Sequence, residues 1–126
     1  MDNRPIGFFD SGLGGLTCVP YLMKKLPKER IIYFGDTART PYGSKATSTI
    51  RKFSLQIAAF LVENNVKMIV IACNTVSATC LYDLRERCPD VPVLGIIQPA
   101  AEAVAENCSP SNRIGIIGTK VTIASH

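Results

Sequence analysis

Two stretches of this chain set residues capable of proton chemistry beside residues that hold small polar ligands. In the first, Ala72-Cys73-Asn74-Thr75 follows the apolar run Met68-Ile69-Val70-Ile71. A continuous run of that kind reads as a strand buried on both faces, and in an α/β sheet the loop leaving the carboxyl end of a strand is where ligands sit. The segment from Val76 to Arg87 has a helical pattern, so Cys73, Asn74 and Thr75 lie near a helix N-terminus. Unpaired backbone N–H groups there favour negative charge, which lowers a thiol pKa and attracts a carboxylate ligand. A free cysteine is more often a small buried hydrophobe. Here the polar neighbours Asn74 and Thr75, which a core would have to satisfy, argue for a site.

The second stretch, Asp10-Ser11-Gly12-Leu13-Gly14-Gly15-Leu16-Thr17, places an acid, a hydroxyl and three glycines between a strand and a helix. Glycines let backbone N–H groups approach a ligand, and Asp10 offers a carboxylate that can hold an ammonium group or tune a thiol. Asp10 or Ser11 can equally serve as a simple helix cap. A dinucleotide fingerprint built on Gly12, Gly14 and Asp36 is a rival, but Thr17 occupies the third glycine position and Asp10 brings negative charge towards a pyrophosphate. No Gly-Lys-Ser/Thr follows, which excludes a Walker loop. A third stretch, Thr40-Pro41-Tyr42-Gly43-Ser44, comes after Asp36-Thr37-Ala38-Arg39. There Pro41 stiffens a turn, Gly43 permits an unusual backbone angle, Ser44 is a good N-cap, and Tyr42 and Gly43 are candidate ligand-lining residues.

These residues need a scaffold that brings them together. Short apolar runs at Ile6-Phe9, Ile31-Phe34, Lys67-Ala72, Val93-Ile97 and Arg113-Ile117 read as strands. Gly14-Leu26, Lys45-Asn64, Val76-Arg87 and Ala100-Asn107 read as helices, the longest with Ile50, Phe53, Ile57, Phe60 and Leu61 as its buried stripe. Strand and helix alternate with short connections, which predicts an α/β fold with a parallel sheet flanked by helices. Each strand is followed by small, polar or turn-forming residues: Asp10-Ser11-Gly12, Gly35-Asp36-Thr37, Cys73-Asn74-Thr75, Gln98-Pro99 and Gly118-Thr119. In a parallel sheet those ends share one edge, so a hydrogen-bond-rich site is expected there.

A hydrophobic fraction of 47% over 126 residues suffices for a continuous core. Fourteen basic and ten acidic residues leave a net charge of +4. The basic ones are scattered instead of interleaved with aromatics, which argues against a nucleic-acid partner. Without an apolar run long enough to span a membrane or a signal-peptide core near Met1, the sequence reads as cytoplasmic with no membrane partner. Five cysteines, none at C-x-x-C spacing, and one histidine, His126, support neither a metal site nor a disulfide framework. Cys18, Cys80, Cys88 and Cys108 are read as structural.

Together, Phe9-Asp10-Ser11-Gly12-Leu13-Gly14-Gly15-Leu16-Thr17, Tyr33 to Gly43, and Ala72-Cys73-Asn74-Thr75-Val76-Ser77-Ala78 resemble the glutamate racemases, as does Ile116-Ile117-Gly118-Thr119-Lys120-Val121-Thr122. The resemblance covers this whole sequence but about the first half of a family member. It implies cofactor-independent interconversion of L- and D-glutamate, supplying D-glutamate for peptidoglycan. Two cysteines face opposite sides of the substrate Cα, one removing the α-proton and the other delivering a proton. Cys73 matches the first cysteine and Asp10 the acid beside it. Ser11, Tyr42, Gly43, Asn74 and Thr75 match positions that hold the substrate's carboxylate and ammonium groups, and Thr119 matches a further contact. An α-proton is a very weak acid, so a base must be poised beside it and the carbanion stabilised by donors in a dry pocket. Thiols, whose pKa can be tuned towards neutrality, suit such work.

The resemblance also implies what is missing. The family's second cysteine lies in a downstream Gly-Cys-Thr-His-like segment, which nothing here matches, and two α/β domains face each other across its active site. Residues 1–97 are then expected to form the first domain and 98–126 the start of a second, truncated one. The polypeptide alone is expected to be inactive, with a small-molecule substrate as its partner and a homodimer left open. An aspartate racemase or related amino-acid racemase is the nearest alternative. A nucleotide-binding module and a non-catalytic binding protein that keeps the fold are alternatives from other classes.

Overall fold

A computed structural model describes residues 2–125; Met1 and His126 lie outside the described residues. The elements follow in the order β1 (Ile6–Asp10), a 3-10 turn (Gly14–Cys18), α1 (Val19–Lys25), β2 (Ile31–Gly35), α2 (Thr47–Glu63), β3 (Met68–Ile71) and α3 (Asn74–Thr79). Then come α4 (Leu81–Arg87), β4 (Val93–Gly95), α5 (Ile97–Asn107) and α6 (Lys120–Ala124). The four strands form one sheet in the order β2-β1-β3-β4, every pair parallel.

That order places β1 and β3 side by side in the middle, while the chain leaves β1 to form β2 on the other flank. The order therefore reverses between β1 and β3, and a crevice opens at their carboxyl ends. Asp10 ends β1 and Cys73 follows β3 closely, so the two candidate stretches meet at that reversal.

The sheet is covered unequally. On one face Phe9, Ile69, Ile71 and Val93 pack against Ile50, Ile57 and Leu61 of α2, Val76 of α3 and Leu84 of α4, forming the main core. On the other, Ile6 and Phe8 pack with Leu22 of α1, Ile31, Tyr33, Met68 and Val70 in a smaller cluster. The alternation explains the division: residues of even number on β1 face α1, and those of odd number face α2.

Several expectations are corrected. Arg113–Ile117 forms no strand among the described residues; Ile116 and Ile117 are exposed, the latter 99%. A strand needs a neighbour for its backbone groups, and this segment pairs with none. The single helix over Val76–Arg87 is two, broken at Cys80 (φ −126°, ψ 2°). The break lets Arg85 of α4 donate from Nε to the Val93 carbonyl at 3.0 Å. The helix predicted over Gly14–Leu26 opens as a 3-10 turn and becomes α-helical around Pro20, which fills the first turn where its missing N–H is harmless. Ser44 does not cap α2, whose N-cap is Ala46. Gln98 and Pro99 lie inside α5. Phe60 is exposed at the rim, meeting Phe34 edge-on with centroids 5.3 Å apart.

Candidate active site

The cleft at the carboxyl edge of the sheet has a volume of about 560 Å³ and is walled by Asp10, Ser11, Cys73, Asn74, Thr75 and Thr119. Those are six of the eight residues singled out from the sequence. Gly12, Gly14, Gly15, Thr40 and Ile96 complete much of the wall, as does Cys18, an exposed thiol that the sequence reading had taken as structural. Cys80 and Cys88 are buried, as a structural role requires. Burial pushes both of those thiols above their ordinary value.

Asp10 is held on every side. Its Oδ1 accepts from the Ser11 amide at 2.8 Å, and its Oδ2 accepts from the Gly15 amide at 2.8 Å and the Tyr33 hydroxyl at 3.2 Å. It thus receives the backbone donors of the following turn, as a cap does, while still facing the cleft. Cys73 is the N-cap residue of α3 and is 5% exposed. Its thiol donates to Ser11 Oγ at 3.3 Å, which joins the turn after β1 to the turn after β3.

The wall opposite is a triangle of hydroxyls. Thr75 Oγ1 lies 3.1 Å from Thr119 Oγ1, which is 3.0 Å from Thr122 Oγ1, and the Thr122 hydroxyl donates to Thr75 at 3.4 Å. Thr119 is also the N-cap of α6, accepting from the Thr122 amide at 3.2 Å. Hydroxyls can donate or accept, so this wall can turn donors towards a carboxylate ligand.

Tyr42 and Gly43 do not line the cleft. Tyr42 is 1% exposed, and its hydroxyl donates to Asp36 Oδ2, which also accepts from Arg39 Nε at 2.7 Å. Burial first, then the Asp36 hydrogen bond, raise the Tyr42 hydroxyl well above its ordinary value. Arg39 in turn lies 4.0 Å above the Phe53 ring and donates to Gln56. The Thr40–Gly43 loop is therefore tied through Asp36 to α2. Gly43 has no positive φ, so the unusual backbone angle expected there is absent. Its need is space: a Cβ would sit 2.5 Å from Thr119 Cγ2.

The Asp36 geometry also bears on the nucleotide-binding alternative. A ribose-binding acid must present its carboxylate to a ligand, whereas Asp36 is 5% exposed and engaged with Arg39 and Tyr42.

Sequence reasoning missed Tyr33, whose hydroxyl reaches both Asp10 and the Gly12 carbonyl oxygen. It lay inside a recognised strand and at the start of the Tyr33 to Gly43 stretch, with no role assigned to it. The signal that could have found it is register: β2 pairs with β1 so that Tyr33 stands opposite Phe8, two residues short of Asp10.

The pattern of the Asp/Glu/Hydantoin racemase family matches residues 17–126. The chain belongs to that family. Within it, the chain is 52% identical over 125 residues to a glutamate racemase from Streptococcus sanguinis, covering 99% of this chain and 47% of that protein. A Neisseria meningitidis glutamate racemase is 52% identical over 98% of this chain and 45% of its own length. Among solved structures, the Francisella tularensis glutamate racemase in complex with D-glutamate superposes with a TM-score of 0.90 at 50% identity, covering 99% of this chain and 46% of that one. The Aquifex pyrophilus glutamate racemase gives 0.91 at 43% identity, covering 97% and 48%. The chain spans about half the length of the relatives it matches. The racemase family match starts after Asp10 and Ser11, but the full-length relatives cover that turn as well.

Proposed function

We propose that this chain is the first half of a cofactor-independent glutamate racemase, with Cys73 as one of two acid/base thiols. The observation that carries the reading is the Cys73 thiol set in the cleft at the strand-order reversal, 3.3 Å from Ser11 Oγ and beside the turn that Asp10 organises. In this reading the Cys73 thiolate takes the α-proton from one enantiomer. The electron pair left on Cα is delocalised into the carboxylate, and a thiol from the remainder of the protein gives a proton to the opposite face. Ser11, Asn74, Thr75 and Thr119 supply donors to the substrate's carboxylates, and Asp10 faces its ammonium group. Gly43, packed against Thr119, and Tyr42, its side chain turned into the core, would support the cleft wall from behind.

Glutamate is favoured over aspartate by the relatives, which bear the name glutamate racemase, one of them solved with D-glutamate. The product D-glutamate would serve peptidoglycan synthesis in the cytoplasm. Residues 1–97 make the first domain, and 98–126 open the second. That boundary falls at the first turn of α5, which runs from Ile97 and has no buried residue.

The test uses the complete protein in deuterated water. Cys73→Ser is expected to abolish deuterium uptake at Cα from one enantiomer while leaving the fold intact by circular dichroism. Uptake from both enantiomers within tenfold of the parent rate would overturn the reading. The 126-residue chain by itself is expected not to racemise glutamate, because stereoinversion needs a second acid on the far face.

A further inference from the structure

Tyr33 sits on β2, behind the site and outside the cleft wall. Paired positions on neighbouring strands share a face, so Tyr33, opposite Phe8, points the same way as Asp10 two residues further along β1. The residue directly opposite Asp10 is Gly35, where a Cβ would overlap the Gly12 carbonyl oxygen. That missing side chain lets the turn after β1 fold back over β2. The Tyr33 ring then runs along the face, bringing its hydroxyl 3.2 Å from Asp10 Oδ2 and 3.1 Å from the Gly12 carbonyl oxygen.

Asp10 has two backbone donors from its own turn, at Ser11 and Gly15; Tyr33 is its one side-chain donor among the described residues. Ser11, lying between Asp10 and Gly12, accepts the Cys73 thiol. One phenol, its single hydrogen shared between the two acceptors, therefore braces both ends of the short segment that presents Ser11. Burial, then the Asp10 charge, raise that phenol above its ordinary value, so it serves as a donor in the neutral range.

We infer that Tyr33 is a positioning residue for Cys73: its hydroxyl fixes the Asp10 carboxylate and the Gly12 carbonyl, and through them the turn that carries Ser11 against the thiol. The inference rests on the reading of Cys73 as an acid/base group. Its physical content is a charge as well as a shape. With the phenolic donor gone, the Asp10 charge is less offset, and a thiolate at the end of the neighbouring strand is harder to form.

The experiment compares the parent protein, Tyr33→Phe and a protein carrying 3-fluorotyrosine at position 33, each as the complete chain. Cys73 alkylation by iodoacetamide is followed against pH, alongside kcat and KM. Tyr33→Phe is expected to move the alkylation midpoint upward, with a roughly threefold slower reaction at fixed pH below it. It should lower kcat more than it raises KM. The more acidic fluorophenol, a stronger donor of the same shape, is expected to move the midpoint the other way. A role in packing alone would leave the fluorotyrosine profile unmoved, and that result overturns the inference even where Tyr33→Phe fails to fold. Deuterium exchange in Cys73→Ser tells the two failures apart. If exchange from one enantiomer is lost there while position 33 has no effect, only the Tyr33 inference falls; if exchange persists there, the underlying reading falls too.

Discussion

Tyr42 shows how far a residue's type leaves its task open. A tyrosine in a Pro-Tyr-Gly turn beside a site suggests a hydroxyl offered to a ligand, yet the hydroxyl is turned inward to the buried Asp36, beside the half-buried Arg39 and Phe53. Tyr42→Phe is accordingly expected to act on stability, at about 1.5–3 kcal/mol for a buried hydrogen bond to a charged group. A urea midpoint would report it, and an unchanged midpoint would show that Arg39 satisfies Asp36 unaided. Cys73 and Asp10, by contrast, were legible, because the end of an apolar run is visible in one dimension. Tyr33 was not, because its role depends on the register between two strands, which no local pattern encodes.

At the scale of elements, the amphipathic stripe of α2 is the clearest case of sequence dictating structure: Ile50, Ile57 and Leu61 are buried at the expected spacing. Ile57→Ala should cost about 2–5 kcal/mol by the same measurement, whereas Lys52→Ala, on the exposed face, should fall within about 0.5 kcal/mol. The break between α3 and α4 was hidden for a physical reason. Val76, Cys80, Leu84 and Cys88 are all buried at four-residue spacing, so the apolar period runs through the break unaltered. What divides the helices is tertiary: Ser77 Oγ donates to the Ile71 carbonyl at 3.1 Å and accepts from the Ile96 amide at 3.3 Å, fixing α3 to two strand ends. Gly43 and α6 are coupled in a comparable way. Gly43→Ala is expected to push Thr119 away and speed amide exchange at Thr122 and Ile123, and adding Thr119→Gly, which removes the clashing atoms, should relieve the clash itself.

For the molecule as a whole, α/β class and parallel pairing followed from strand-helix alternation, while the fifth strand did not form because an apolar run needs a partner as well as a pattern. The buried hydroxyls and thiols predict a pH dependence. Cys80 and Cys88 are raised from 9.0, and Tyr33 and Tyr42 from 10.0, chiefly by burial. Below those ordinary values all four are protonated in both folded and unfolded chains, so they contribute no slope. Above them the unfolded chain releases protons that the folded one retains, and stability falls as pH rises. Thermal unfolding midpoints should therefore hold level from neutrality to about pH 9 and then decline, with Cys80→Ala flattening the first part of the fall. A decline beginning below neutrality would require a different set of groups.

The strand order has one more consequence, seen on warming. Asp10 ends a strand laced to β2 as far as Asp10 itself and to β3 as far as Phe9, so the middle of the sheet holds it in place. Thr119 hangs on a five-residue helix that follows an unpaired, exposed stretch. The cleft should melt from that flank inward, losing its hydroxyl wall while the acid and the thiol still stand together.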